Sequence, residues 1–143
     1  MNNNATYGKM YNFFAVADSR GLCPAGWHVP GDDEWAILEN FLGGSAVAGG
    51  KMKSTGTIEA STGLWYSPNQ DATNSSGFTA FPGGYRLYDG TFGNFGHFGL
   101  WWSSSEASST LAWGRTLMNT NAISGRNDSH LKTFGFSVRC LRD

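Results

Sequence analysis

LWWSSSEASSTLAWGR, residues 100–115, sets the architecture. It reads as two short aromatic-rich strands, LWWSSSE and LAWGRTL, joined through a Ser-rich turn. The neighbouring stretch is of another kind. TLMNTNAISGRNDSHLK, residues 116–132, is rich in Asn and Ser and nearly lacks a hydrophobic period. It reads as a polar surface segment. Beyond it, FGFSVRCLRD, residues 134–143, returns to strict alternation. Phe134, Phe136, Val138 and Cys140 face one way, and Gly135, Ser137 and Arg139 the other, as a clean last strand requires.

Upstream, YRLYDGTF (85–92) predicts a hairpin with Asp89–Gly90 at its turn. The convincing helix is GDDEWAILENFLGG, residues 31–44. Trp35, Leu38 and Phe41/Leu42 recur at three- and four-residue spacing and make one apolar face. Asp32, Asp33 and Glu34 crowd its first turn, where acids complement the helix dipole. Gly31 serves as N-cap, and Gly43 and Gly44 end the helix. MYNFFAVADS (10–19) reads as a strand or short helix, and GLCPAGWHVP (21–30) as a half-buried strand after a turn. The stretch 46–78 carries Gly, Ser, Thr and Asn throughout and reads as loops and short strands. The layout is an α+β domain spanning residues 1–143, with few helices, antiparallel strands and long loops.

Composition bounds the function. Of 143 residues, 15 % are aromatic and 15 % charged, and the formal net charge is −1. A nearly neutral chain without a basic cluster has no electrostatic case for nucleic acid or an anionic membrane. No apolar run approaches the length of a bilayer span. The start, MNNNATYGK, carries neither the charged nor the apolar region of a signal peptide, which leaves the compartment open.

Catalytic chemistry is thin. His28, His97 and His130 are the histidines, and no pair has zinc-ligand spacing. His28 reads as a hydrogen-bonded structural residue, His97 as packed among glycines and aromatics, and His130 as a group able to touch a ligand. SSSE (103–106) offers hydroxyls and a carboxylate without a nucleophile elbow. Glu106 is expected to accept backbone or Trp N–H bonds. Asp32, Asp33 and Glu34 are explained by their helix start more simply than by calcium. No metal, cofactor or phosphate loop is expected. YDGTFGNFGHF (88–98) suits either packed hairpin aromatics or a sugar-stacking surface at Tyr85, Tyr88 and Phe92. Cys23 and Cys140 leave two readings open: buried free thiols, or one disulfide.

The motifs CPAGWHVPGDDEW, GGKMKSTG, SGFTAFPGGYR, WWSSSE, AWGR and GFSVRCLRD occur in that order. Together they resemble the Fibrobacter succinogenes major paralogous domain, from about Tyr7 to Asp143. One departure is Gly31, where that family usually has Ser or Thr before the helix. The resemblance implies a C-type-lectin-like fold of the formylglycine-generating-enzyme branch, borne on a bacterial or phage surface. It favours the Cys23–Cys140 disulfide, and with it an oxidising location. Formylglycine-generating chemistry needs reactive cysteine and is not carried over. The lectin-type calcium tripeptide is absent.

The same ending is similar to the variable proteins of diversity-generating retroelements. There AAY codons are randomised in the polar segment before the last strand, here residues 104–133. That likeness implies a binding surface built from Thr110, Leu111, Gly114, Thr116, Asn119, Thr120, Asn121, Ser124, Asn127, Asp128, His130 and Thr133. Glu106, Met118 and Lys132 are not reachable from such codons and are expected to be fixed. Trp101, Trp102, Trp113, Leu117 and Phe136 would hold the scaffold. The expected function is recognition of a protein or glycan receptor on another cell or virion, not catalysis. The alternative is a static surface adhesin or carbohydrate module.

Overall fold

A computed structural model describes residues 4–143. Its elements are α1 (Asn4–Tyr7), α2 (Phe13–Val16), β1 (Trp27–His28), α3 (Asp32–Phe41), α4 (Ser45–Met52), β2 (Tyr85–Arg86), β3 (Phe92–Gly93), β4 (Phe98–Glu106), β5 (Leu111–Met118), β6 (Gly125–Leu131) and β7 (Leu141–Arg142). The architecture is α+β, with antiparallel sheets in the orders β4-β5-β6, β1-β7 and β2-β3.

Strands β4 and β5 of the central sheet are covered on both faces, which explains three consecutive apolar residues at 100–102. Trp101 and Leu117 pack with Trp35, Leu42, Ala48, Met52 and Trp65 on one face. Leu100, Trp102 and Ala112 pack with Phe13, Val16 and Phe136 on the other. Alternation within each strand therefore feeds two cores rather than one core and solvent.

Helix α3 forms where its spacing predicts. Gly31 has no side chain to cap with, but its N–H donates to the Glu34 carboxylate at 2.8 Å, and the Ser105 hydroxyl of β4 accepts from the Asp32 N–H at 3.0 Å. The missing Ser or Thr is thus partly replaced from the sheet. Trp35 and Leu42 are buried, whereas Phe41 points to solvent at 85 % exposure. Gly43 and Gly44 both take positive φ, and the Gly44 N–H closes on the Glu39 carbonyl.

Three expectations need correction. Residues 46–52, read within a stretch of loops and short strands, belong to α4 (Ser45–Met52). Gly49 and Gly50 disfavour a helix locally. Tertiary contact demands them: a Cβ on Gly49 would collide with the Ile123 carbonyl, and one on Gly50 would stand 2.6 Å from the Asp71 carbonyl. The polar segment is not wholly loop, because Gly125–Leu131 pairs with β5 as an edge strand. Such a strand draws its hydrogen bonds from one neighbour and leaves its side chains largely in water, so it needs no apolar alternation. Its polar and charged residues also discourage further strand pairing.

The last segment is extended, but only Leu141–Arg142 is ladder-paired strand. Phe134, Phe136 and Val138 share one core cluster as the alternation predicts, but Gly135 is buried and Ser137 half-buried too, so the other side is covered as well. The backbone instead serves several partners in turn: Gly135 N–H to Arg86, Phe136 N–H to Tyr11, and Ser137 N–H to Leu100. Within residues 10–19 the short helix α2 (Phe13–Val16) forms, N-capped by Asn12. The hairpin at 85–93 forms as predicted, with the Leu87 N–H bonded to the Thr91 carbonyl. Cys23 and Cys140 are joined in a disulfide, with Cα atoms 5.8 Å apart, next to the β1–β7 pair.

Candidate functional site

Alternate residues of the central sheet project toward the terminal segment. Leu100, Thr116 and Gly125 lie abreast, as do Trp102, Gly114 and Asn127. Phe134 and Phe136 from the terminal segment and Tyr85 and Leu87 from the hairpin wall this face. Between them lies a cleft of about 370 Å³, whose sheet side includes Phe98, Leu100, Thr116 and Met118 and whose rim includes Arg126, Asn127 and His130.

The small residue at 114 shapes one end. A Cβ there would stand 2.9 Å from the His130 ring and 3.1 Å from the Trp101 carbonyl. With hydrogen in its place, the imidazole settles edge-on to Phe136, at 4.8 Å between centroids, and to Trp102 at 6.1 Å. Burial holds the His130 pKa below its ordinary value, with Asp128 opposing weakly. Its Nε2 is buried and finds no hydrogen-bond partner among the described residues.

The opposite face carries a buried ion network. Arg115 is fully buried; its Nε donates to Glu39 at 2.8 Å and its Nη1 to Asp32 at 2.7 Å. Arg126 forks onto the same Asp32 at 2.7 and 3.0 Å and lies 3.7 Å from the Trp113 ring centre. Burial alone would raise the Asp32 carboxyl; hydrogen bonds from Arg126 and Arg115 outweigh it and hold the pKa down. Glu34 is held low by the Gly31 N–H and by His28, against partial burial. The acids at the helix start are therefore used by the fold: Asp32 by two arginines, Glu34 by Gly31 and His28.

The predicted site residues divide. Thr116, Asn127 and His130 meet at the cleft, with exposed Asp128 beside them on β6. Thr110 is exposed in the β4–β5 turn and Leu111 half-buried at the start of β5. Gly114 is buried and makes room for His130. Asn119 and Ser124 do not belong to a displayed surface. Asn119 is 4 % exposed and donates to the Ser67 carbonyl at 2.9 Å; Ser124 is 1 % exposed and donates to Glu39 at 2.6 Å. Asn121 is half-buried, its side chain accepting from the Ile123 N–H and its carbonyl from Lys53. These inward positions arise because the 119–124 loop is stitched to the middle third. Lys53, fully buried, donates to the carbonyls of Gln70, Met118 and Asn121.

Other expectations resolve at single residues. Glu106 is exposed and pairs with Lys132 at 3.0 Å instead of accepting from Trp or backbone. His28 is hydrogen-bonded as expected, between Asp143 at 2.6 Å and Glu34 at 2.9 Å. His97 stacks on Tyr66 at 4.5 Å. The aromatic trio splits: Tyr88 and Phe92 are exposed on the hairpin, while Tyr85 turns into the cleft. Sequence reasoning missed Phe98, Leu100, Leu87 and Phe134 as cleft residues. The two-residue period of β4 and β5 carried the signal for Phe98 and Leu100; the walls come from distant segments and had none.

The chain matches the family model of the Fibrobacter succinogenes major domain over residues 1–142. It belongs to that family. Searches of curated proteins and of solved structures found no significant match.

Proposed function

We propose that this chain is a recognition domain: a C-type-lectin-like scaffold that works outside the cell, on a bacterial surface or a virion, and binds a receptor on another cell or virion. The supporting observation is the cleft on the central sheet. There Thr116, Asn127 and His130 of the polar segment converge on an aromatic-walled hollow held by two cores and a disulfide. A rigid frame limits the ordering cost of binding while surface residues stay free to change. Binding without catalysis fits the cysteines, since both are tied in the bridge. An outward disulfide-bonded domain also fits an oxidising compartment.

Diversification by a retroelement is the finer part of the proposal. Exposed Asn127 and Asp128 on β6 and exposed Thr110, Thr120 and Thr133 could change without disturbing a core, whereas Asn119 and Ser124 could not. The test has two parts. Labelled domain is applied to intact cells from its own community, beside an Asn127→Ala/Asp128→Ala variant. Saturable binding weakened tenfold or more by the variant supports the reading; no binding to any cell type sinks it. Deep sequencing of the gene should then place substitutions at the exposed positions and spare 119, 124 and 134–143. Even variation across the gene would remove diversification and leave a static adhesin.

A further inference from the structure

The cleft is hollow but offers few free polar groups. Asn127 Oδ1 already accepts from the Ser129 N–H and hydroxyl, at 2.8 and 2.5 Å. The Arg126 guanidinium is committed to Asp32 and to the Trp113 face. His130 turns its Nε2 into the protein, against Gly114. The Thr116 hydroxyl and the Asn127 amide N–H groups remain, beside Phe98, Leu100, Met118, Phe134 and Phe136. A sugar ring carries several hydroxyls, and each that enters without a partner costs desolvation. An anion would find no free counter-ion, since the Arg126 guanidinium is turned to Asp32, and a cation would meet only Asp128, a carboxylate exposed to water whose attraction is worth little. At about 370 Å³ the space is near the lower end for ligand pockets, roughly 300 Å³. It suits one large side chain better than an oligosaccharide.

We propose that this cleft takes an uncharged aromatic side chain projecting from a protein partner, an anchor seated between the face of β4–β5 and the Phe134–Phe136 segment. The argument for this occupant is polarity matching: an aromatic-walled hollow whose polar groups are few, the Thr116 hydroxyl on the sheet side, the Asn127 amide at the rim and the Tyr85 hydroxyl, which accepts from Asn94. Tyr and Trp fit that pattern, with an apolar body and one polar group to meet the rim. The inference rests on the recognition reading and names the partner class for its site.

The test uses the intact chain and small probes, followed by two-dimensional amide NMR. Indole and N-acetyl-tryptophanamide are titrated to millimolar concentration, beside methyl glucoside and methyl galactoside. The expected result is saturable shifts at Leu100, Thr116, Met118 and Phe134 with the indoles and none with the glycosides. Thr116→Trp should fill the hollow and abolish the indole shifts while the spectrum elsewhere keeps its dispersion. Gly125→Leu at the rim gives a second block should the first variant misfold, since a Cβ there meets only Thr116, at 3.3 Å or more. Glycoside shifts at these amides, alone or alongside indole, would overturn the aromatic occupant and leave the recognition reading standing. No shift from any probe would also overturn it, and the cell-binding test would then decide recognition separately.

Discussion

Arg115→Met tests the buried network most directly. The native guanidinium is fully buried and joins Asp32 to Glu39. After substitution Asp32 keeps its forked pair with Arg126, so it stays neutralised. Glu39 keeps only the Ser124 hydroxyl and becomes a carboxylate at 5 % exposure with no cation hydrogen-bonded to it among the described residues, Arg126 acting on it only from a distance. Breaking a buried pair from one side costs about 3–5 kcal/mol, most of it from the charge left behind. At roughly 3 °C per kcal/mol for a chain of this size, the melting temperature should fall by roughly 10–15 °C. The assay is thermal and urea unfolding followed by circular dichroism. Arg115→Met/Glu39→Met removes both charges together and should recover most of the loss, ending within about 2 kcal/mol of the native protein. A single variant costing under about 1 kcal/mol, or a double variant as unstable as the summed singles, would refute the account.

Other perturbations have definite outcomes. Cys23→Ser/Cys140→Ser opens a bridge across 117 residues of sequence and should lower stability by roughly 4–5 kcal/mol in the chain-entropy model, read as a fall in urea midpoint. Hydrogen bonds accepted by the Asp143 and then the Glu34 carboxylate raise the His28 pKa. Its contribution is therefore full below the ordinary histidine value and lost as pH rises through the raised one. Amide exchange in β1 and β7 should accelerate across that window, and a His28→Gln variant should lack the dependence. Lys53→Met leaves three part-buried carbonyls without their donor and should cost about 1–3 kcal/mol, with exchange rising first in residues 118–124. Gly49→Ala should destabilise despite alanine's better helix propensity; a gain in melting temperature would show that α4 does not press on the Ile123 backbone as described.

Local pattern carried much of the architecture. The three- and four-residue spacing from Trp35 to Leu42, the flanking Gly31, Gly43 and Gly44, and the DG turn at 89–90 are short-range signals, and each element formed where they lie. The strand pair β4–β5 was legible because its aromatics mark buried strands, although nothing local said that both faces would be covered. The family, too, was legible in ordered motifs along the chain.

Residue order alone was enough, then, for the locally encoded elements and for the alternation that commits Trp101 and Trp102 to opposite faces. Long-range contact set the rest. Helix α4 keeps two glycines because another stretch of backbone presses on them. The polar segment becomes a strand because β5 supplies its hydrogen bonds, and Asn119 and Ser124 turn inward because Ser67 and Glu39 wait for them. The cleft assembles from β4, β5, β6, a hairpin and the terminal segment, pieces spread along the chain from Tyr85 to Phe136. No window of sequence contains such a meeting, because burial and charge pairing act between residues that only the folded chain makes neighbours.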